Sequence, residues 1–234
     1  MECTLPDSGA QSGAGRAPIR LGILISGSGT NLQAIIDAIA SGNLRAEIRL
    51  VISNRVAAAG LDRARRAGIE ARTIDHREFS AREDFDRALA AAFTARGVEL
   101  VVCAGFMRLL SPVMLAAFPG RIINTHNSLL PSFPGLHGPR DALEYGVKIT
   151  GCSVFFVTEG VDTGPIIIQA AVPVLPGDDE PRLAERIKAA EHRILPHAIR
   201  LYQEGRLRIS GRRVLIHGAP DIDVVTPLSV PPLK

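Results

Sequence analysis

Two polar side chains stand two residues apart at the end of an apolar run near the middle of the chain. Asn124 and His126 follow Ile122 and Ile123. In a β-strand, residues two apart point to the same face, so the amide and the imidazole would project together. An amide N–H can stabilise an oxyanion and an imidazole can move a proton, so the pair is a candidate catalytic centre. The alternative is an Asn/His pair that caps the following loop and has no chemical role.

A third candidate, Asp162, lies in a turn-forming sequence that needs no function to explain it. Segment 159–165 reads EGVDTGP, in which Asp and Gly are ordinary turn residues. A carboxylate beside a histidine would hold the ring and favour its charged form. The local pattern does not place Asp162 beside His126, so its interpretation as a catalytic residue depends on family resemblance.

A glycine turn, GSGTN at 27–31, lies between a predicted strand and a predicted helix. Glycines let the backbone approach an anion, and the free N–H groups at the start of a helix favour a phosphate. A tight strand-to-helix turn also favours glycine without any ligand. A dinucleotide site would need a small residue where Leu32 stands, although Glu47 lies near the expected acidic position. A monophosphate is therefore the better interpretation.

Short apolar runs that alternate with amphipathic stretches predict the elements that position these residues. The strand–helix–strand succession predicts parallel strands, with the fourth and fifth at the centre and an antiparallel pair after them. The predicted strands are 20–26, 47–53, 70–74, 98–105, 120–126, 149–157, 165–174 and 213–216, and the predicted helices are 32–40, 57–67, 80–96 and 180–202. The expected fold class is α/β, with an open, mostly parallel Rossmann-like sheet, helices on both faces and an antiparallel C-terminal strand pair.

The remaining segments are predicted to lack regular structure. Segment 128–138 contains two prolines and two glycines, which indicate an ordered loop beside the sheet edge, where function is often carried. One domain is expected over residues 19–218, because no linker interrupts the alternation. Residues 1–18 are expected to form a disordered tail, and residues 219–234, with four prolines, a loosely ordered one.

Composition excludes several classes of function. The 234 residues are 46% hydrophobic and 22% charged, as in ordinary globular proteins. The net charge is only +3 and basic residues are dispersed, which argues against nucleic acid binding. Cys3, Cys103 and Cys152 are far apart, which argues against disulfides and a zinc site and fits a reducing cytoplasm. No sequence segment is long and apolar enough to cross a membrane.

Five segments, in order, closely resemble the phosphoribosylglycinamide formyltransferases, the folate-dependent enzymes of purine biosynthesis. They read ISGSGTNLQAIIDAI, AGFMRLLSP, GRIINTHNSLLPSFPGLHG, TGCSVFFVTEGVDTGPIIIQ and ERIKAAEHRILP. The resemblance, over about residues 19–209, implies that Asn124, His126 and Asp162 are catalytic and that the folate lies in a cleft beside the loop. It implies formyl transfer from 10-formyltetrahydrofolate to the amine of glycinamide ribonucleotide, with no metal.

The resemblance also implies binding residues. Those for the phosphate and for the amine or ribose end of the nucleotide are Gly29, Thr30, Asn31 and, on a helix, Glu191. Those for the folate are Arg82 near its glutamate tail and Met107, Arg108, Leu109, Leu110 and Asn124 along an apolar slot. The structural alternatives are core packing for Met107, Leu109 and Leu110 and a solvated surface charge for Arg82 and Glu191.

Three positions depart from the family pattern. Asn127 stands where proline is common, which would leave the backbone after His126 less rigid, and Phe155 and Pro139 replace histidines of some members. Formyl-hydrolysing relatives share the catalytic trio, so the alternatives are a 10-formyltetrahydrofolate hydrolase or another formyltransferase. A non-catalytic nucleotide-binding module is an alternative of a different class. The sequence leaves the oligomeric state open, a homodimer included.

Overall fold

A computed structural model describes residues 17–218, so both predicted tails lie outside the described residues, apart from Ala17 and Pro18. The strands are β1 Ile19–Ile25, β2 Ala46–Ser53, β3 Ala71–Thr73, β4 Leu100–Cys103, β5 Ile122–His126, β6 Ile149–Phe156, β7 Ile166–Pro173, β8 Leu207–Ser210 and β9 Arg213–Ile216. The helices are α1 Thr30–Ala40, α2 Gly60–Arg66, α3 Arg82–Ala95, α4 Pro112–Ala117, α5 Gly138–Tyr145 and α6 Glu180–Gln203.

All nine described strands form one sheet, in the order β3-β2-β1-β4-β5-β6-β7-β9-β8. Strands β1 to β5 pair in parallel. The chain then reverses, and β5–β6 and β6–β7 are antiparallel pairs. The predicted fold class is confirmed, including the central position of β4 and β5. The strand order reverses between β1 and β4. In such a sheet, ligands usually bind beside the carboxyl ends of the strands at this point.

Apolar side chains cover both faces of the sheet. On one face, Leu32 of α1 and Ile187 of α6 pack with alternate residues of β1 such as Ile23. On the other face, Phe85 of α3 packs with Leu24, the next residue of β1. This alternation follows from the two-residue period of a strand. None of the helices between residues 17 and 218 is long and apolar enough to span a membrane.

The sequence prediction missed four short elements, namely α4, α5, β8 and a one-turn 3-10 helix at His76–Glu78. Helix α5 begins at Gly138 and carries Pro139 in its first turn. A proline is tolerated there because the N–H it lacks would have no helical partner. The prediction counted Gly138 among the loop-forming glycines, so the predicted loop 128–138 was one residue too long.

Candidate active site

A cavity of about 620 Å³ opens at the carboxyl ends of β1, β4 and β5. Its walls are the glycine turn after β1, segment 104–109 after β4, the end of β5, residues 135–136 and 161–162 of two loops, and part of α6. Segments that are far apart in the sequence therefore meet at one site. The cavity holds all three predicted catalytic residues and all four predicted nucleotide-binding residues.

Asn124 and His126 both line the cavity, as the strand period predicts. Asn124 is half-buried, whereas His126 is only 7% exposed. Thr125, between them, donates a hydrogen bond of 2.9 Å to Glu191 of α6. Three consecutive side chains at the end of β5 thus line this cavity.

The His126 ring is held through both of its nitrogens. Nε2 lies 2.8 Å from the Phe133 carbonyl oxygen, and because a carbonyl only accepts, Nε2 carries a proton and donates it. Nδ1 lies 3.5 Å from Oδ2 of Asp162. The structure therefore brings Asp162 to His126, a contact that sequence reasoning could not establish, and leaves Nδ1 as the nitrogen beside the carboxylate.

Asp162 is fixed by the loop that the sequence predicted beside the sheet edge. Its Oδ2 accepts a hydrogen bond of 2.9 Å from the Gly135 backbone N–H, and the side chain is only 12% exposed. The same loop supplies the Phe133 carbonyl that holds His126. The loop between β5 and α5 thus fixes both members of the pair.

The glycine turn has one position that only glycine satisfies. Gly29 has φ +69°, and a Cβ there would lie 2.5 Å from the Cα of Gly60. Gly27 differs, because a Cβ there would meet nothing within 4 Å. Close packing against Gly60 therefore requires glycine at position 29. Gly27 lines the cavity and has open space where a side chain would be. Thr30 and Asn31 follow as the first residues of α1, whose free N–H groups begin here.

Glu191 is a buried carboxyl of α6 that lines the cavity. Burial raises its pKa above the ordinary value of 4.5, against the opposing effect of hydrogen bonds from Thr125 and Asn31. The Asn31 Oδ1 atom is itself buried without a hydrogen-bond partner among the described residues. Glu191 is therefore not a solvated surface charge, and an unused acceptor lies next to it.

Replacing Glu191 by glutamine is expected to change how stability depends on pH. Because the folded carboxyl has the raised pKa, the folded protein retains a proton that the unfolded chain loses above about pH 4.5. The free energy of unfolding of the native protein should therefore fall as pH rises above 4.5. Glutamine does not titrate, so the free energy of unfolding of Glu191→Gln should lack this decrease. Measured by urea titration, the difference between the variant and the native protein should shift in favour of the variant from pH 4.5 to pH 8.

Glu185→Gln, at an exposed position of the same helix, is the matched control and should track the native protein at each pH. A stability difference between Glu191→Gln and the native protein that does not vary with pH would contradict the raised pKa.

The predicted folate residues divide into two groups. Met107 and Leu109 line the cavity and are 54% and 50% exposed, so the core-packing alternative is wrong for them; Arg108 also lines it. Leu110 packs against the apolar layer under α3 and does not line the cavity. Arg82 is the first residue of α3, outside the cavity lining, and lies 3.8 Å from Glu83.

Two cavity cations were not predicted from the sequence. Lys188 lies one helical turn before Glu191 on α6, and Arg55 follows the carboxyl end of β2. The i, i+3 spacing to Glu191 was a usable signal for Lys188. Position at the end of a parallel strand was the corresponding signal for Arg55.

The departures from the family pattern fit their surroundings. Asn127 lines the cavity, and its backbone and side-chain oxygens would both lie 2.7 Å from a Cβ at position 138, where the chain has Gly138. Phe155 is buried opposite Asn124 in the β5–β6 register. Asn127 and Gly138 therefore form a matched pair that places α5 close to the end of β5.

The described cysteines are not candidates for chemistry. Cys103 and Cys152 are free and buried, and burial raises the pKa of each thiol to about 12. A thiol with such a pKa is not a nucleophile at neutral pH. Within residues 17–218, no three His, Cys, Asp or Glu side chains are grouped to hold a metal ion.

A mostly parallel α/β sheet of the Rossmann-like type, with Asn, His and Asp side chains in a cavity at its switch point, is an arrangement typical of an enzyme. Residues 19–199 match the model of the family described as formyl transferase, and the chain belongs to this family.

Two relatives and a solved structure show which formyltransferases this chain is similar to. Phosphoribosylglycinamide formyltransferase of Escherichia coli K12 is 45% identical over 84% of this chain and 92% of its own length. Trifunctional purine biosynthetic protein adenosine-3 of Drosophila pseudoobscura pseudoobscura is 51% identical, but the chain spans only 14% of its length. The structure of glycinamide ribonucleotide transformylase 1 from Symbiobacterium toebii is 59% identical over 85% of this chain and 94% of that one, with a TM-score of 0.84. The predicted resemblance to phosphoribosylglycinamide formyltransferase is confirmed.

Proposed function

We propose that this formyltransferase moves the formyl group of 10-formyltetrahydrofolate onto the amine of glycinamide ribonucleotide. The observation that carries the proposal is that the Asn124, His126 and Asp162 side chains lie in one cavity between a phosphate-type glycine turn and an exposed apolar segment. One end of the cavity suits an anionic nucleotide and the other a flat aromatic ring. We assign the activity to residues 19–218 and to the cytoplasm, consistent with free Cys103 and Cys152.

The reaction requires attack of a neutral amine on the formyl carbon. A new C–N bond forms, the bond to folate N10 breaks, the amine loses a proton and N10 gains one. The intermediate carries negative charge on the former carbonyl oxygen, and the proposed donors to it are the Asn124 amide and a protonated His126. Because Nε2 of His126 donates to Phe133, Nδ1 is the nitrogen left to act, and it lies 3.5 Å from the Asp162 carboxylate.

We assign the substrate phosphate to the glycine turn. Gly29, Thr30 and Asn31 present backbone N–H groups at the start of α1, which favours a bound anion. Lys188 adds a cation at the same cavity. Glu191 then lies where it can accept a hydrogen bond from the ribose or amine end.

We assign the folate to the opposite side. The exposed side chains of Met107 and Leu109, together with those of Leu136 and Val161 in the same cavity, provide apolar walls for a pterin ring. Arg82, outside the lining, is assigned to the glutamate tail that extends beyond the cavity.

A negative charge in the glycine turn is expected to weaken binding of the nucleotide. Thr30→Glu places a carboxylate against the substrate phosphate, and we expect this like-charge contact, partly screened by solvent, to cost about 1.4–2.8 kcal/mol. The KM for glycinamide ribonucleotide should rise about 10- to 100-fold, while the KM for the folate changes little. Ser41→Glu, at the other end of α1, is the control. If Thr30→Glu left the nucleotide KM unchanged, the phosphate would have to bind elsewhere.

Acceptor dependence separates transfer from the alternatives. The protein is incubated with 10-formyltetrahydrofolate, with and without glycinamide ribonucleotide, and deformylated folate is followed. Release that requires the nucleotide supports the proposal. Equal release without the nucleotide would indicate a hydrolase, and no release in either case would indicate a binding module.

A further inference from the structure

Segment 104–111 joins β4 to α4 and lacks regular structure, yet it forms the apolar wall of the cavity. Its middle is exposed, with Met107 and Leu109 half in solvent. Its flanking residues, Phe106 and Ser111, are buried. The strand and helix hydrogen bonds of this segment lie at its ends, where the Gly105 carbonyl accepts from Ser26 N–H and the Ser111 carbonyl accepts from Met114 N–H. Other groups must therefore hold the residues between them.

The first such group is the Ser26 hydroxyl, at the carboxyl end of β1. It donates a hydrogen bond of 2.6 Å to Oδ1 of Asn54 and accepts one of 2.9 Å from the Met107 backbone N–H. Ser26 and Asn54 are both buried, and the Asn54 amide lies 3.3 Å from the His76 ring. Donation to Asn54 orients the hydroxyl so that its lone pair faces Met107.

The second group is the Asp86 carboxylate on α3, which is 0% exposed. Its Oδ2 accepts a hydrogen bond from the Ser111 backbone N–H, at the other end of the segment. Burial raises the pKa of Asp86, which the Ser111 bonds oppose. A fully buried carboxyl is costly unless it is hydrogen-bonded, and the Ser111 backbone N–H supplies a hydrogen bond to Oδ2. Asp86 belongs to α3, one helical turn after Arg82, so its hydrogen bond to Ser111 links the cavity wall to that helix.

We propose that Ser26 and Asp86 are positioning residues that hold the two ends of segment 107–111 and thereby set the folate wall of the cavity. This inference rests on the proposed function, because it takes that wall to be where the folate binds. Neither side chain needs to touch the folate, since each acts through a backbone N–H of the segment.

Folate and nucleotide affinities measured separately test the inference. We would titrate folic acid and glycinamide ribonucleotide by calorimetry into the native protein, Ser26→Ala, Asp86→Asn and Asp86→Leu, and record melting temperatures. Ser26→Ala and Asp86→Leu should weaken folic acid binding about 10-fold, as expected for a lost buried hydrogen bond, with nucleotide affinity within about twofold. Asp86→Asn retains an oxygen for Ser111 and should recover most of the affinity.

Ser41→Ala and Asp84→Asn are exposed controls and should bind both ligands like the native protein. Unchanged folic acid affinity in Ser26→Ala, or equal loss of both ligands in Ser26→Ala, would overturn the inference, whatever happens to the melting temperature. If Asp86→Leu fails to fold, Ser26→Ala and Asp86→Asn still decide it. A native protein that binds folic acid but transfers no formyl group would refute the proposed function and leave this test intact.

Discussion

Replacing Asn124 by alanine is expected to reduce kcat roughly 100- to 1000-fold, while the KM for each substrate stays within a few-fold of the native value. The loss of one oxyanion donor raises a barrier by about 2.7–4 kcal/mol, and the proposed Asn124 contact exists mainly in the transition state. Steady-state rates of formyl transfer, with each substrate varied in turn, measure both parameters.

Asn43→Ala is the matched control, because Asn43 is exposed and lies outside the active-site cavity. It should show native kinetics. A kcat for Asn124→Ala near the native value would remove Asn124 from the catalytic machinery and leave it as a capping residue of the loop.

Replacing His126 by asparagine is expected to reduce kcat by about 100- to 10,000-fold, the range typical of a lost general acid–base group. The variant loses the only ring that contacts both Phe133 and Asp162 among the described residues. His217→Asn, at an exposed position near the end of β9, is the control and should behave like the native protein.

Asp162→Asn distinguishes a catalytic pair from two separate structural contacts. An asparagine oxygen still accepts from the Gly135 N–H, but the negative charge beside His126 is lost. We expect a smaller decrease in kcat than for His126→Asn, and no further decrease in the double variant, because the two residues act as one unit. Multiplied losses in the double variant would mean that Asp162 acts independently of His126.

The parts of the fold that could be predicted are those set by local pattern. The two-residue period of a strand predicted that Asn124 and His126 share a face, and both line the cavity. The strand–helix succession predicted the parallel sheet. These features depend on period and order along the chain, which a single sequence displays directly.

The parts that could not be predicted depend on contacts between distant segments. Asp162 reaches His126 across 36 positions of sequence only because a loop fixes both residues. Asp86 was part of an ordinary amphipathic helix in the sequence, and its bond to Ser111 becomes visible only in the folded chain. Leu110 is the opposite case: it belongs to the segment that resembles the folate-binding one, but in the fold it is partly buried against the apolar core and does not line the cavity.

The central claim is that the formyl carbon of the folate ends on the nucleotide amine. The most direct measurement uses 10-formyltetrahydrofolate labelled with carbon-13 in the formyl group and follows both products by mass spectrometry. We predict one labelled formyl group on glycinamide ribonucleotide for each tetrahydrofolate released. Labelled free formate, with the nucleotide unmodified, would contradict the account.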